Sequence, residues 1–89
     1  MTKYLVSYDL SRPGQDYSKL IEHMKSYGTW AHPLKSVWVI VTTKTAVAVR
    51  NDASAYLDAN DKILVVELGH PAAWRGLSDE LTQWLKNNL

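Results

Sequence analysis

An uninterrupted apolar run lies in the middle of the chain, Val37-Trp38-Val39-Ile40-Val41. Consecutive β-branched and aromatic side chains over this length predict a β-strand. Because successive side chains of a strand point to opposite faces, this strand is apolar on both faces. A second run, Ile63-Leu64-Val65-Val66, has the same property. A sheet built from these strands therefore needs a cover on each of its faces.

The first third of the chain predicts a strand, a helix and a second strand. Lys3 to Leu10 has the length and composition of a strand. From Asp16 the apolar residues recur at helical spacing up to Gly28, which occupies the usual position of a C-terminal helix cap. The segment from Thr29 to Ser36 predicts a short strand, and Pro33, which has no N–H, places it at a sheet edge or a bulge.

The second half repeats this alternation and adds a tail. Thr45 is a suitable cap for a helix from about Ala46 to Ala59, and Lys62 to Leu68 predicts a further strand. Ser78 is followed by two acidic residues, which stabilise the first turn of a third helix that extends to about Asn88. The order is strand, helix, strand, strand, helix, strand and a helical tail.

This βαββαβ order predicts an α+β, ferredoxin-like fold with an antiparallel sheet, two helices on one face and a short C-terminal helical tail. We expect one domain over residues 1–89, with a core of about 3–69 and a tail of about 70–89. The two helices cover one face of the sheet. We expect a second copy of the chain, assisted by the tail, to cover the other, which predicts a homodimer.

Composition excludes several classes of protein. Ten Lys and Arg against nine Asp and Glu give a net charge of +1, which excludes a nucleic-acid clamp that works by charge alone. The absence of cysteine excludes disulfides, thiolate zinc sites and a cysteine nucleophile. No secretory signal or membrane-spanning stretch is visible, so we expect a cytoplasmic protein without membrane contact. Four Trp and five Tyr with no Phe mean that every aromatic ring carries a polar edge.

Asp9 is the first candidate for chemistry, because it follows an apolar strand and precedes a polar turn. Alternation places it on the same face as Leu5 and Ser7, and this is the dimer face if Tyr8 faces the helices. Two symmetry-related carboxylates and water molecules are a ligand set that Mg²⁺ accepts. The alternative is that Asp9 begins an Asx-type turn and has no further role.

Basic residues near the ends of the predicted elements are candidate phosphate contacts, and the alternative for each is a solvated surface charge. The five candidates are Arg12, Lys35, Lys44, Arg50 and Arg75. His32 is either a general base or a polar surface residue. Trp30 and Trp74 fall outside the clear apolar stripes and favour a protein interface over a nucleic-acid groove.

Several segments are similar to the CRISPR-associated protein 2 superfamily over about residues 3–69. They are Tyr4-Leu5-Val6-Ser7-Tyr8-Asp9-Leu10, Tyr27-Gly28, Lys35-Ser36-Val37-Trp38 and Asp61-Lys62-Ile63-Leu64-Val65-Val66. The stretches Tyr27-Gly28-Thr29-Trp30 and Trp74-Arg75-Gly76-Leu77 resemble its small stand-alone members labelled SinR-like. Virulence-associated protein D, a ribonuclease, belongs to the same superfamily. The chain has no helix-turn-helix pattern that would support the repressor implied by the SinR label.

This resemblance implies a ferredoxin-like homodimer whose two sheets face each other. It implies that Asp9 matches a strand-end aspartate, which binds a metal and supports endonuclease activity in some members. Ser36 matches a small polar position before an apolar pair, where Trp38 replaces the more usual Phe. Several members serve as dimeric scaffolds without catalysis.

Together these observations predict a Mg²⁺-dependent endonuclease that cleaves RNA or DNA as a homodimer. Asp9 and Ser36 would be catalytic, Asp9 would bind the metal, and Arg12, Lys35 and Arg75 would bind nucleic acid. The alternative is a non-catalytic dimer that binds a protein partner as an adaptor of the toxin-antitoxin or phage-defence type. A third hypothesis is a module that binds nucleic acid without cleaving it, with an affinity that falls steeply with salt.

Overall fold

The computed structural model describes residues 1–11 and 17–89. Its elements in chain order are β1 (Thr2–Asp9), α1 (Ser18–Lys25), β2 (Thr29–Leu34), β3 (Val37–Thr42), α2 (Ala46–Ser54), β4 (Lys62–Glu67) and α3 (Asp79–Asn88).

The described strands form one antiparallel sheet in the order β2-β3-β1-β4. The central strand β1 pairs with β3 and β4 at once, so that Leu5 lies opposite Val39 on one side and opposite Val66 on the other. The protein is thus a small α+β domain, and its element order fits a ferredoxin-like arrangement.

One face of the sheet, which we call the helix face, packs against α1 and α2. Alternate residues of β1 point into this layer, and Tyr4, Val6 and Tyr8 are all buried. The core that they form with the other strands and the two helices also contains Leu20, Met24, Trp38, Ile40, Val49 and Ala53. This confirms the prediction of two helices on one face.

The polar edges of the three aromatic residues in the core, Tyr4, Tyr8 and Trp38, have partners inside the molecule. The Trp38 Nε1–H donates to the Tyr8 hydroxyl at 2.9 Å, across the boundary between β3 and β1. The Tyr4 hydroxyl donates to the carbonyl of Lys44 at 2.9 Å. The Trp38 and Tyr4 donors are therefore satisfied inside the molecule, whereas the buried Tyr27 hydroxyl has no hydrogen-bond partner among the described residues.

Local sequence signals are confirmed at several boundaries. The Thr45 hydroxyl accepts from Ala48 N at the start of α2, and the Ser78 hydroxyl accepts from Leu81 N at the start of α3. Gly28 has φ +83°, the left-handed conformation expected after a helix. Strand β2 lies at the sheet edge, and its register with β3 shifts between Ala31 and Leu34, around Pro33.

The predicted length of α2 is wrong, because the helix ends at Ser54 and not near Ala59. Beyond Ser54 the backbone continues in tighter turns: Tyr56 N donates to the carbonyl of Ala53, and Leu57 N to that of Ser54. The ring of Tyr56, which continues the helical spacing of Val49 and Ala53 in the sequence, is exposed and stacks on His23. Helical spacing continues through such a turn, which is why the sequence pattern overestimates the helix.

The tail covers part of the opposite face of the sheet, which we call the open face. Leu85 of α3 is buried, as are Ala31 of β2 and Val39 of β3, whose side chains point to this face. The Trp74 Nε1–H donates to Thr82 Oγ1 at 3.1 Å and so fixes the start of the tail to α3. None of the helices in the described chain has the length and hydrophobicity that crossing a membrane requires.

Candidate functional site

Asp9 is exposed at the last position of β1, on the open face of the sheet. It lies opposite Lys62 in the register of β1 with β4, and the shallow pocket beside it is also lined by Ser7 and Leu64. Among the described residues, no side chain or backbone group forms a hydrogen bond or ion pair with the carboxylate of Asp9. Its carboxylate is therefore available to an external ligand. Lys62 is the residue opposite it on the neighbouring strand.

The turn between β2 and β3 reaches the same end of the sheet. Tyr8 N donates to the carbonyl of Ser36 at 3.1 Å, which places this turn directly beside the end of β1. The side chains of Lys35 and Ser36 are exposed. Two of the residues predicted to contact a substrate thus lie at the end of the sheet that carries Asp9.

His32 holds this turn in place and is not an exposed base. Its Nε2 lies 2.9 Å from the carbonyl of Lys35, and because a carbonyl can only accept, Nε2 carries the proton of this hydrogen bond. Its ring stacks on Trp38, with 3.9 Å between the ring centroids and 10° between the planes. The structure gives His32 a role that neither alternative included: its side chain connects the turn to the core.

Asp61 lies just before β4 and is a residue that the sequence analysis overlooked. Its Oδ1 accepts from Ser11 N at 2.8 Å and from Ser11 Oγ at 2.9 Å, while Oδ2 accepts from Asp58 N at 2.7 Å. The Tyr17 hydroxyl lies 3.2 Å from both oxygens. These hydrogen bonds hold the pKa of Asp61 below its usual range, and the bond from Ser11 N has the largest effect.

Asp9 and Asp61 are therefore two carboxylates with different roles at one end of the sheet. Asp61 connects the segment after β1 to the turn before β4, and its oxygens are occupied by donors from Ser11, Tyr17 and Asp58. The only sequence signal for Asp61 is the Asn60-Asp61 turn pair, which does not identify partners fifty positions away in the chain.

The remaining predicted nucleic-acid contacts do not converge on Asp9. Arg75 is exposed in the tail and lines a groove with Leu34 and Val37, whereas the pockets at the end of β1 are lined by Asp9, Lys62 and their neighbours. Arg12 lies outside the described residues. Lys35 is thus the one predicted phosphate contact that the described structure brings close to the end of β1.

In the described chain, no group of three or more His, Cys, Asp or Glu side chains converges in a way that could hold a metal ion. Asp9 contributes one carboxylate per copy. The residues present suit a divalent cation only if a second copy contributes its own Asp9, with water completing the coordination.

The open face remains apolar where the tail does not cover it. Leu64 and Val66 of β4 are 59% and 43% exposed, although Val39, on the same face beneath the tail, is 4% exposed. Leu34 at the end of β2 is 59% exposed. Large apolar side chains that share one face and lack a cover indicate a surface for association.

Comparison with known proteins supports the fold. No family model matches this chain. Among solved structures, it is similar to that of a hypothetical protein, TT1823 from Thermus thermophilus, with a TM-score of 0.67. The two sequences are 23% identical, and the alignment covers 85% of this chain and 92% of the other. Similarity at this level of identity extends to the fold and not to activity.

Proposed function

We propose that this chain is a ferredoxin-like homodimer of the CRISPR-associated protein 2 superfamily, in which the Asp9 residues of both copies bind a divalent cation and support phosphodiester cleavage in RNA or DNA. One observation carries the proposal: Asp9, an exposed carboxylate without a partner among the described residues, lies on the same face as the uncovered Leu64 and Val66. A copy that covers these apolar residues with its own equivalent face brings a second Asp9 into reach.

The residues around Asp9 suit a negatively charged substrate. Lys62 lies opposite Asp9 and Lys35 lies in the adjoining turn, so the single carboxylate is accompanied by two ammonium groups that attract phosphate. Ser36 is exposed beside them and can donate a hydrogen bond to a phosphate oxygen. Arg12 is a further proposed contact, while Arg75 belongs to the groove beneath the tail.

The cation would supply the chemistry that these side chains lack. A bound Mg²⁺ or Mn²⁺ lowers the pKa of a coordinated water and offsets charge on the phosphate. Asp9 would hold the ion through its carboxylate, and Lys35 and Lys62 would orient the phosphate. The proposed site is complete only in the dimer.

Cleavage assays on labelled RNA and DNA, single- and double-stranded, test this function with Mg²⁺, with Mn²⁺ and with a chelator. We expect metal-dependent cleavage by the wild type and loss of cleavage to the protein-free level in Asp9→Asn. Glu22→Gln is the matched control, because it makes the same carboxylate-to-amide change at an exposed position of α1. Equal activity of Asp9→Asn and the wild type, or no cleavage by the wild type at any pH tested, would refute the nuclease.

Light scattering tests the dimer separately. We expect a mass of twice 10.1 kDa for the wild type and a shift to the monomer in Leu64→Asp, which places a charge on the open face. Ile21→Asp is the control, because Ile21 is 37% exposed on α1, which packs on the helix face. A wild type that remains a monomer at micromolar concentration contradicts the dimer.

A second function is favoured by the position of Lys62. Directly opposite Asp9, its ammonium group can neutralise the carboxylate without any metal, which suits a non-catalytic dimer that binds a protein partner. Under this alternative the wild type dimerises but does not bind Mn²⁺. The Lys62→Gln variant also shows no metal-dependent cleavage of RNA or DNA. Calorimetric titration with Mn²⁺ distinguishes the two functions before any partner is known.

A further inference from the structure

An apolar groove runs between the tail and the open face of the sheet. Its volume is about 330 Å³, at the lower end of the range of small-molecule sites. One wall is formed by the sheet and the other by the tail. Leu5, Leu34 and Val37 belong to the sheet, whereas Trp74, Leu77 and Leu85 belong to the tail.

Arg75 is the one charged side chain among the described residues that line this groove. It is exposed, and no carboxylate of the described chain lies within ion-pair distance of it. A guanidinium group presents several donors in a fixed plane and binds a carboxylate or phosphate through charge-assisted hydrogen bonds. The groove thus combines an apolar floor with one cationic group.

The tail wall is held in place without a ligand. The Trp74 Nε1–H is used by Thr82 Oγ1 at 3.1 Å, which leaves the apolar faces of the ring for packing. Gly76, at φ +83°, turns the chain back towards α3, and Ser78 caps the helix through Leu81 N. Because the wall is already ordered, a ligand would bind without a large cost in chain entropy.

We propose that this groove binds a small amphiphile with an unbranched apolar chain and one anionic headgroup, the chemistry of a medium-chain fatty acid. The chain would pack between Leu34 and Trp74, and the carboxylate would accept hydrogen bonds from Arg75. Charge complementarity selects this occupant, because a neutral apolar molecule leaves the guanidinium unused and a polar anion leaves the apolar walls exposed. Neither Asp9 nor Ser36 lines the groove, so the site is additional to the proposed nuclease centre.

Isothermal titration of the 89-residue protein with octanoate and with 1-octanol tests the proposal. We expect one octanoate per chain, bound about fivefold more weakly by Arg75→Gln, as for the loss of an exposed charge pair. The affinity for 1-octanol should not change in that variant. Arg50→Gln is the matched control, because Arg50 is an exposed arginine of α2 that does not line the groove.

Three results overturn the proposal. The first is no binding of octanoate below its micelle concentration, and the second is an equal loss of affinity in Arg75→Gln and Arg50→Gln. The third is absence of octanoate binding together with a shift from dimer to monomer in Leu77→Asp, which would show that a second copy fills the groove. Retained octanoate binding by Asp9→Asn separates this test from the nuclease assay.

Discussion

The two faces of the sheet are formed by the same strands but differ in how deeply their side chains are buried. On β1, Tyr4, Val6 and Tyr8 point to the helix face and are buried, whereas Asp9, on the open face, is exposed. Apolar residues occur on both faces: α1 and α2 pack over the helix face, whereas Leu64 and Val66 of the open face lack a cover within the described chain. The helix face therefore contains most of the core, whereas part of the open face is exposed.

The polar groups of the two faces differ in the same way. On the helix face, Trp38 and Tyr8 satisfy each other in a buried hydrogen bond. On the open face, Asp9 and Arg75 have no bonding partner among the residues that the structure describes. The buried pair is part of the core, whereas the two exposed charged groups are open to solvent and to any ligand that reaches them.

Paired truncations on the two faces give the largest expected contrast. Ile40 is 0% exposed on the helix face, and Leu64 is 59% exposed on the open face. We expect Ile40→Ala to lower the free energy of unfolding by about 2–5 kcal/mol, because it leaves a cavity in the core. Leu64→Ala should change the unfolding of the monomer by less than about 0.5 kcal/mol.

Urea denaturation at low protein concentration, followed by far-ultraviolet circular dichroism, measures both values. Light scattering of the same variants measures their self-association, which we expect Leu64→Ala to weaken. A cost for Leu64→Ala equal to that for Ile40→Ala would mean that the open face belongs to the core of a single copy.

Much of this contrast could be predicted from the sequence. Residues 37–41 and 63–66, apolar on both faces, required two covers for the sheet, and the helical stripe ending at Gly28 supplied one of them. Local signals also predicted the Thr45 cap and the start of α3 after Ser78. These features could be predicted because each depends on residues within one turn or one strand.

The candidate site was less predictable, because it depends on contacts between distant segments. Asp9 was placed on the correct face by alternation alone, but its neighbour Lys62 follows from the register of β1 with β4. The role of Asp61 requires Ser11 and Tyr17, which are remote in the chain. The position of Arg75 follows from the path of the tail, which no periodicity encodes.

Adjacent residues on opposite faces give a smaller contrast. Tyr8→Phe removes the acceptor of the buried Trp38 Nε1–H, and we expect a loss of about 1–3 kcal/mol, the cost of a buried unsatisfied donor. Ser7→Ala, one position earlier on the open face, should change stability by less than about 0.5 kcal/mol. Chemical denaturation measures both, and Trp38 fluorescence should respond only to Tyr8→Phe. Equal losses of stability would contradict the division of β1 between the buried helix face and the exposed open face.

The two carboxylates at the end of β1 give the smallest contrast, which depends on pH. Hydrogen bonds lower the pKa of folded Asp61, so its stabilisation is complete above the unfolded value of about 3.9. That stabilisation is lost as the pH falls through the folded pKa, where the carboxylate is protonated. We expect Asp61→Asn to be less stable than the wild type at pH 7 and the difference to shrink towards pH 2.

Asp9→Asn is the matched control for this measurement, since it makes the same change on a neighbouring carboxylate that no described residue bonds. Its unfolding free energy should stay within about 0.5 kcal/mol of the wild type at pH 7. Solvent screening at both positions makes this contrast weaker than those in the core, so thermal melts at low ionic strength resolve it best. If Asp9→Asn were the less stable of the two, Asp9 would have an internal role, and its assignment to an external ligand would fail.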